Sequence, residues 1–233
     1  LPDPFTGLIW PNRIKTAEVY VQEGLPVART HDWLSLNFVP SISVPQDAWI
    51  DWDAKSQSFR TVGAVHPQGL TARTKTVIHY VDDLYQRHWH DGSKLSLADM
   101  VLGLALGFDR ANKESAIFDE AAVPAFETFV RYFRGARIVQ ENPLVAEVYS
   151  DLLYPDAEWL ADSAAGYFYT TVPWHTFAIG IFSESNRELA FSSWTRNHRA
   201  GGVETLDRSR GCANKHAGRR GQRNSHSEHY RLT

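Results

Sequence analysis

Residues 89–101 read WHDGSKLSLADMV, and this stretch joins a predicted turn to a predicted helix. The pair Asp91-Gly92 is typical of a tight turn, and Trp89 is a candidate core residue. Ser96 and Asp99 have the spacing of a capping box, with Asp in place of the usual Glu. Apolar residues continue to about position 111, so a helix is predicted over 96–111. The following residues are interpreted as a structural motif: Trp89, His90, Asp91, Gly92, Ser96 and Asp99.

Strand patterns dominate before this motif and helical patterns follow it. Alternating or β-branched residues predict strands over 17–21, 33–39 and 74–81. Helical spacing or capping signals predict helices over 119–133, 156–165 and 173–189, and Gly135 is expected to end the first of them. A hairpin is predicted between them, over 137–139 and 144–149. The pattern predicts an α/β fold (α+β in detail), strand-rich over 1–82 and helix-rich over 83–195.

The charge of the chain is divided between an acidic body and a basic tail. Residues 196–233 hold nine basic and three acidic side chains, which leaves 15 basic and 24 acidic residues before them. An acidic body disfavours nucleic-acid binding, which needs clustered Lys and Arg. The tail lacks apolar periodicity, so we expect it to be disordered or, after a reading-frame error, non-native. The only cysteine, Cys212, lies there, so a disulfide scaffold or thiolate site in the body is excluded.

No catalytic motif emerges from the sequence, and none of the phosphate, dinucleotide or nucleophile-elbow patterns is present. His88, His90 and Asp91 could approach one metal ion, but a complete ligand set is missing, so no metal or cofactor is expected. Asp51 and Asp53 flank Trp52, which keeps a hydrolase acting on sugars open as an alternative. The pattern of glycines at 103 and 107 is interpreted as a close-packing helix face.

The remaining signal is a surplus of aromatic residues, 12% of the chain. Aromatic side chains suit ligand pockets because they offer a large contact area at a low entropic cost. Core packing accounts for more than half of them. The candidates for a ligand cleft are Trp33, Trp49, Trp52 and Trp174.

The order of the motifs resembles extracellular solute-binding proteins of family 5, the peptide/nickel-type receptors of ABC importers. Residues 89–101 resemble the family pattern W-[HS]-D-G-x-x-[LV]-[TS]-A-x-D-[VF]-V, and the strand at 74–80 is similar to the one preceding it. Residues 133–139 and 143–149 are similar to the hairpin that follows. Val44-Pro-Gln-Asp-Ala-Trp49 and Val172-Pro-Trp-His175 resemble further family segments. The resemblance covers about residues 4–194 and implies an internal portion of a longer, two-lobed receptor.

This resemblance implies part of a periplasmic-binding-protein-like lobe of class II, with a mixed sheet and packed helices. Its function would be to capture an extracytoplasmic solute, an oligopeptide, for a membrane permease, without enzymatic activity. We therefore expect a periplasmic or cell-surface location, no leader in this chain and no direct membrane insertion. A carbohydrate receptor on the same scaffold is the alternative, because sugars stack on tryptophan.

Overall fold

A computed structural model describes residues 13–168, 170, 172–186, 188–190, 192 and 204–205. The strands are β1 Ile14–Gln22, β2 Leu34–Val39, β3 Ile42–Val44, β4 Trp49–Asp53, β5 Ser58–Thr61, β6 Leu70–Ala72, β7 Thr74–Tyr80, β8 Phe133–Gln140 and β9 Val145–Ser150. Seven of them form the main sheet, in the order β2-β1-β7-β9-β8-β4-β5. All neighbouring pairs are antiparallel except β1 and β2, which are parallel. A separate pair, β3 and β6, is antiparallel.

Helices pack against this sheet, which confirms the predicted mixed fold. The bounds of the helices are α1 Val62–Val65, α2 Leu97–Asp109, α3 Val123–Tyr132, α4 Ala157–Gly166 and α5 Trp174–Ser185. Short 3-10 turns lie at Leu84–Gln86 and Glu120–Ala122, the second directly before α3. The predicted helix over 96–111 is confirmed to within two residues. The predicted hairpin is confirmed as well: its second strand agrees to within one residue, and its first strand begins four residues earlier than expected. Within the described residues, no helix combines the length and hydropathy of a membrane span.

The expectation that Gly135 ends a helix is wrong. The helix ends at Tyr132, and Phe133, only 3% exposed, already begins β8 within the core. Gly135 lies inside this strand with a φ of +146°, next to a register shift in the pairing with β9. A Cβ atom there would lie 3.2 Å from Val44 Cγ1 and 3.3 Å from Ala48 Cβ. The glycine is therefore required by backbone geometry and by close packing.

The main core lies where α2 and α4 meet the central strands. Met100, Leu104 and Phe108 of α2 belong to one buried cluster with Ile78 of β7 and Val148 of β9. Strands β8 and β9 come from the helix-rich part of the sequence, yet they pair between β7 and β4 in the middle of the sheet. Both parts of the chain therefore share one sheet.

A buried carboxylate joins the central strands. Glu147 of β9, 6% exposed, accepts hydrogen bonds from Lys75 Nζ at 2.8 Å and Arg137 Nε at 2.7 Å. It also accepts a bond from the Tyr149 hydroxyl at 2.7 Å. Burial by itself raises the pKa of Glu147, but the three donors outweigh it and the pKa is lowered.

The predicted basic tail, residues 196–233, lies outside the described residues with one exception. Glu204–Thr205, strand β11, pairs in parallel with Leu189–Ala190, strand β10.

Candidate functional site

An apolar groove opens between α2, α3 and α5. Its volume is about 380 Å³, within the range of small-molecule sites. Arg110 is the only ionisable residue among the described residues that line it. The complete lining in the described part of the chain is Gly103, Leu106, Gly107, Arg110, Ala122, Ala125, Phe126, Phe129 and Phe177.

Two glycines of α2 form the floor of the apolar groove, where they leave room because they have no side chain. Gly103 and Gly107 are four residues apart in α2, so they lie on one face of the helix. Among the described residues, none would lie within 4 Å of a Cβ atom built on Gly107, apart from the backbone of its own helix and its chain neighbours. The prediction that this glycine serves close helix packing is therefore wrong, because Gly107 borders open space.

One wall of the apolar groove is held by aromatic packing. Phe126 and Phe129 lie one turn apart in α3, and both meet Phe108 of α2 edge-on, at ring-centroid distances of 5.3 and 5.5 Å. Phe129 also contacts the Tyr167 ring at 5.2 Å. Such edge-to-face pairs add stability beyond burial alone. The wall is thus fixed from behind by the main core.

The rim of the apolar groove carries one ion pair. Arg110 Nη2 donates to Asp119 Oδ2 at 2.5 Å, and the Asp119 backbone amide donates to the Arg110 carbonyl oxygen at 2.7 Å. The Asp119 side chain is 3% exposed and that of Arg110 is 29% exposed. The guanidinium charge at the rim is therefore matched by a buried carboxylate.

The second wall, α5, is held at its N-terminus by the motif found in the sequence. Pro173 occupies the N-cap position of α5 and supplies no side-chain acceptor. Asp99 of α2 supplies the acceptor that Pro173 lacks, because its Oδ1 atom accepts from the Trp174 amide at 2.7 Å. The same carboxylate accepts from the Ser96 amide and hydroxyl, both at 2.8 Å. Asp99 therefore caps its own helix and also positions the helix that carries Phe177.

Asp91 makes a second link to α5, at the surface. Its carboxylate accepts from the Ser93 hydroxyl and amide at 2.7 and 2.9 Å, and it lies 2.8 Å from His175 Nε2. These bonds, the Ser93 hydroxyl first, lower the pKa of Asp91 to about 2. Gly92 completes the turn with a φ of +85°. The predicted turn at Asp91-Gly92 is confirmed.

The other motif residues flank this turn. Trp89 packs partly buried against the main core, and the Arg13 guanidinium lies 5.8 Å from its ring centroid. His88 and His90 are both exposed. No group of three or more potential metal ligands occurs within the described part of the chain.

The four tryptophans predicted for a ligand cleft lie outside the lining of the apolar groove that the structure describes. Trp49 stacks on Phe59 at 4.6 Å, and Trp52 meets the same ring edge-on at 4.9 Å. Trp33 packs between two buried clusters. Trp174 begins α5 and is 44% exposed.

A polar groove of about 450 Å³ lies at the tip of the β4–β5 hairpin and contains Asp51, Trp52 and Asp53. Asp51 forms an ion pair with Arg60 at 3.0 Å. Asp53 accepts from the Lys55 and Ser56 amides at 2.8 and 3.2 Å, which lowers its pKa. Both carboxylates are engaged in local bonds. The lowered pKa of Asp53 is opposite to what a general acid needs.

The lining of the apolar groove includes residues that sequence reasoning assigned to packing. Phe126 and Phe129 belong to the apolar stripe that predicts α3, and periodicity cannot separate a groove wall from a core face. Phe177 lies in the segment predicted as a helix over 173–189. The sequence signal that could have indicated this groove was the pair of glycines at 103 and 107.

Comparison with known proteins adds no relative: no protein-family model matches the chain, and no curated protein matches it significantly.

Proposed function

We propose that the chain is part of the substrate-binding component of an ABC importer, within a periplasmic-binding-protein-like lobe of class II. It captures an extracytoplasmic oligopeptide and delivers it to a membrane permease. The observation that carries the proposal is the apolar groove, whose open space at Gly107 accepts a side chain.

The chemistry of the apolar groove supports binding over bond breaking. The described lining offers glycine, alanine, leucine and phenylalanine surfaces, together with one arginine already paired to Asp119. Such a surface gains free energy when apolar area leaves water, at roughly 25 cal/mol per Å². Asp51 and Asp53, the alternative catalytic pair, lie in the polar groove and are already engaged.

The link between the motif and α5 supports a role in signalling occupancy. Asp99 and Asp91 both bind the first turn of α5, which contributes Phe177 to the apolar groove. A ligand that contacts Phe177 therefore acts on a helix whose first turn is bonded to the motif by Asp99 and Asp91. In a two-lobed receptor, ligand contacts of this kind shift the population toward the closed form.

The test compares two substitutions at Gly107 by titration calorimetry with a defined mixture of tri- and tetrapeptides. We expect Gly107→Leu to weaken peptide binding by at least tenfold, because its side chain fills the groove. Gly107→Ala is the matched control: it adds one methyl group, favours the helix and should keep most of the binding. Failure of the unaltered chain to bind any peptide, or equal binding by Gly107→Leu, would overturn the proposal. Binding of maltooligosaccharides that Gly107→Leu blocks would favour a carbohydrate receptor instead.

A further inference from the structure

The rim of the apolar groove has no uncompensated charge among its described lining residues. Arg110 is the one ionisable group there, and its partner Asp119 is 3% exposed on its side chain. A second bond joins their backbones, from the Asp119 amide to the Arg110 carbonyl oxygen, at 2.7 Å. This pairing leaves the guanidinium engaged by the protein itself.

Apart from Arg110, the described lining of the apolar groove offers only apolar side chains and glycine backbone. The side chains of Leu106, Phe126, Phe129 and Phe177 face the same space, above the open position of Gly107. An ammonium group entering it would lose its water without gaining an oppositely charged partner among the described lining residues. An aromatic or branched aliphatic group would gain the full transfer free energy of the area it buries.

We infer that the apolar groove selects peptides by an uncharged aromatic or branched aliphatic side chain and rejects cationic ones. This rests on the proposed function and names the ligand class of the same site. Burial of a phenylalanine side chain in place of alanine predicts about 10- to 100-fold tighter binding. A lysine side chain at the same position is expected to bind no more tightly than alanine.

The experiment measures binding of four peptides to the full chain by titration calorimetry: Ala-Phe-Ala, Ala-Leu-Ala, Ala-Ala-Ala and Ala-Lys-Ala. The expected order places the phenylalanine and leucine peptides at least tenfold ahead of the other two. Equal affinity for all four, still weakened by Gly107→Leu, would overturn the selectivity while leaving the proposed function intact. Absence of binding to all four peptides and to the mixture above would overturn both.

A charge introduced at the rim provides a second, independent measurement. Ala125 lines the apolar groove, is exposed and is the third residue of α3, where an acidic side chain is favourable to the helix dipole. Ala125→Glu should therefore fold normally and raise the ratio of Ala-Lys-Ala to Ala-Phe-Ala binding by about two- to fivefold, as expected for a new ion pair exposed to water. Ala125→Gln, the uncharged control of equal size, accounts for the added bulk and should raise that ratio less than Ala125→Glu does. An equal shift in both variants, or a shift in neither, contradicts the inference.

Discussion

Substitution of Asp99 tests whether one carboxylate holds two helices. Asp99 is 1% exposed and accepts bonds from the Ser96 amide, the Ser96 hydroxyl and the Trp174 amide, at 2.8, 2.8 and 2.7 Å. Asp99→Ala removes all three bonds. Loss of a helix cap costs about 0.5–2 kcal/mol. A backbone amide left without an acceptor costs about 1–3 kcal/mol when it is buried, and the bond from the Trp174 amide is partly buried.

Together these terms predict that Asp99→Ala lowers the free energy of unfolding by about 1.5–5 kcal/mol. Urea unfolding followed by tryptophan fluorescence measures the change as a lower midpoint at an unchanged slope. Asp99→Asn keeps the volume of the side chain and so separates hydrogen bonding from packing. One of its two carboxylate oxygens becomes an NH₂ group that faces a backbone amide donor, so we expect a loss of stability smaller than that of Asp99→Ala.

The control is Asp91→Ala, which removes the exposed link to the same helix. Asp91 also accepts two bonds from Ser93, but bonds and ion pairs exposed to water contribute little, so we expect a smaller loss than for Asp99→Ala. Equal midpoints for Asp99→Ala and the unaltered chain would refute the assignment of Asp99. Equal losses for Asp91→Ala and Asp99→Ala would also refute it, since burial would then not matter.

Two further predictions concern the sheet. Because the pKa of Glu147 is lowered in the folded state, its contribution to stability is present above its ordinary pKa of 4.5 and is lost as the pH falls through the folded value. Glu147→Gln should therefore cost about 1–3 kcal/mol at pH 7, and this difference should shrink in urea titrations between pH 5 and about 3; a constant difference contradicts it. Gly135→Ala should lower the stability by about 2 kcal/mol or more, because it combines a φ of +146° with a 3.2 Å approach to Val44 Cγ1. Gly107→Ala, in open space within a helix, is its control, and a thermal midpoint of Gly135→Ala at or above that of the unaltered chain would contradict this reading.

Local signals in the sequence were sufficient for most secondary structure. The capping box of Ser96 and Asp99 and the turn at Asp91-Gly92 depend on residues within four positions of one another, so they can be read from the chain directly. The end of α3 was predicted to within one residue, but the role of Gly135 was not. Gly135 resembles a helix stop, whereas its place in β8 is set by the approach of Val44 and Ala48 from another part of the fold.

The candidate site was less accessible to sequence reasoning. Aromatic abundance pointed to tryptophans, but Trp49 and Trp52 both pack on Phe59, since a register shift between positions 49 and 51 brings them to one ring. The groove wall instead uses phenylalanines whose spacing matches an ordinary core face. Whether an apolar helix face meets another element or leaves open space depends on the neighbouring helix, which periodicity does not encode.

The sequence by itself determined the mixed α/β composition, the position of the main helices and strands, and the turn and cap of the motif at 89–101. These follow from backbone preferences and hydrogen bonds that act over a few residues. Only the tertiary structure decided that β8 and β9 lie in the centre of the sheet, that Asp99 reaches the Trp174 amide 75 positions away, and that Gly107 borders open space. The physical reason is that these contacts join surfaces distant in the chain, where burial and hydrogen-bond satisfaction over the whole fold select the partner.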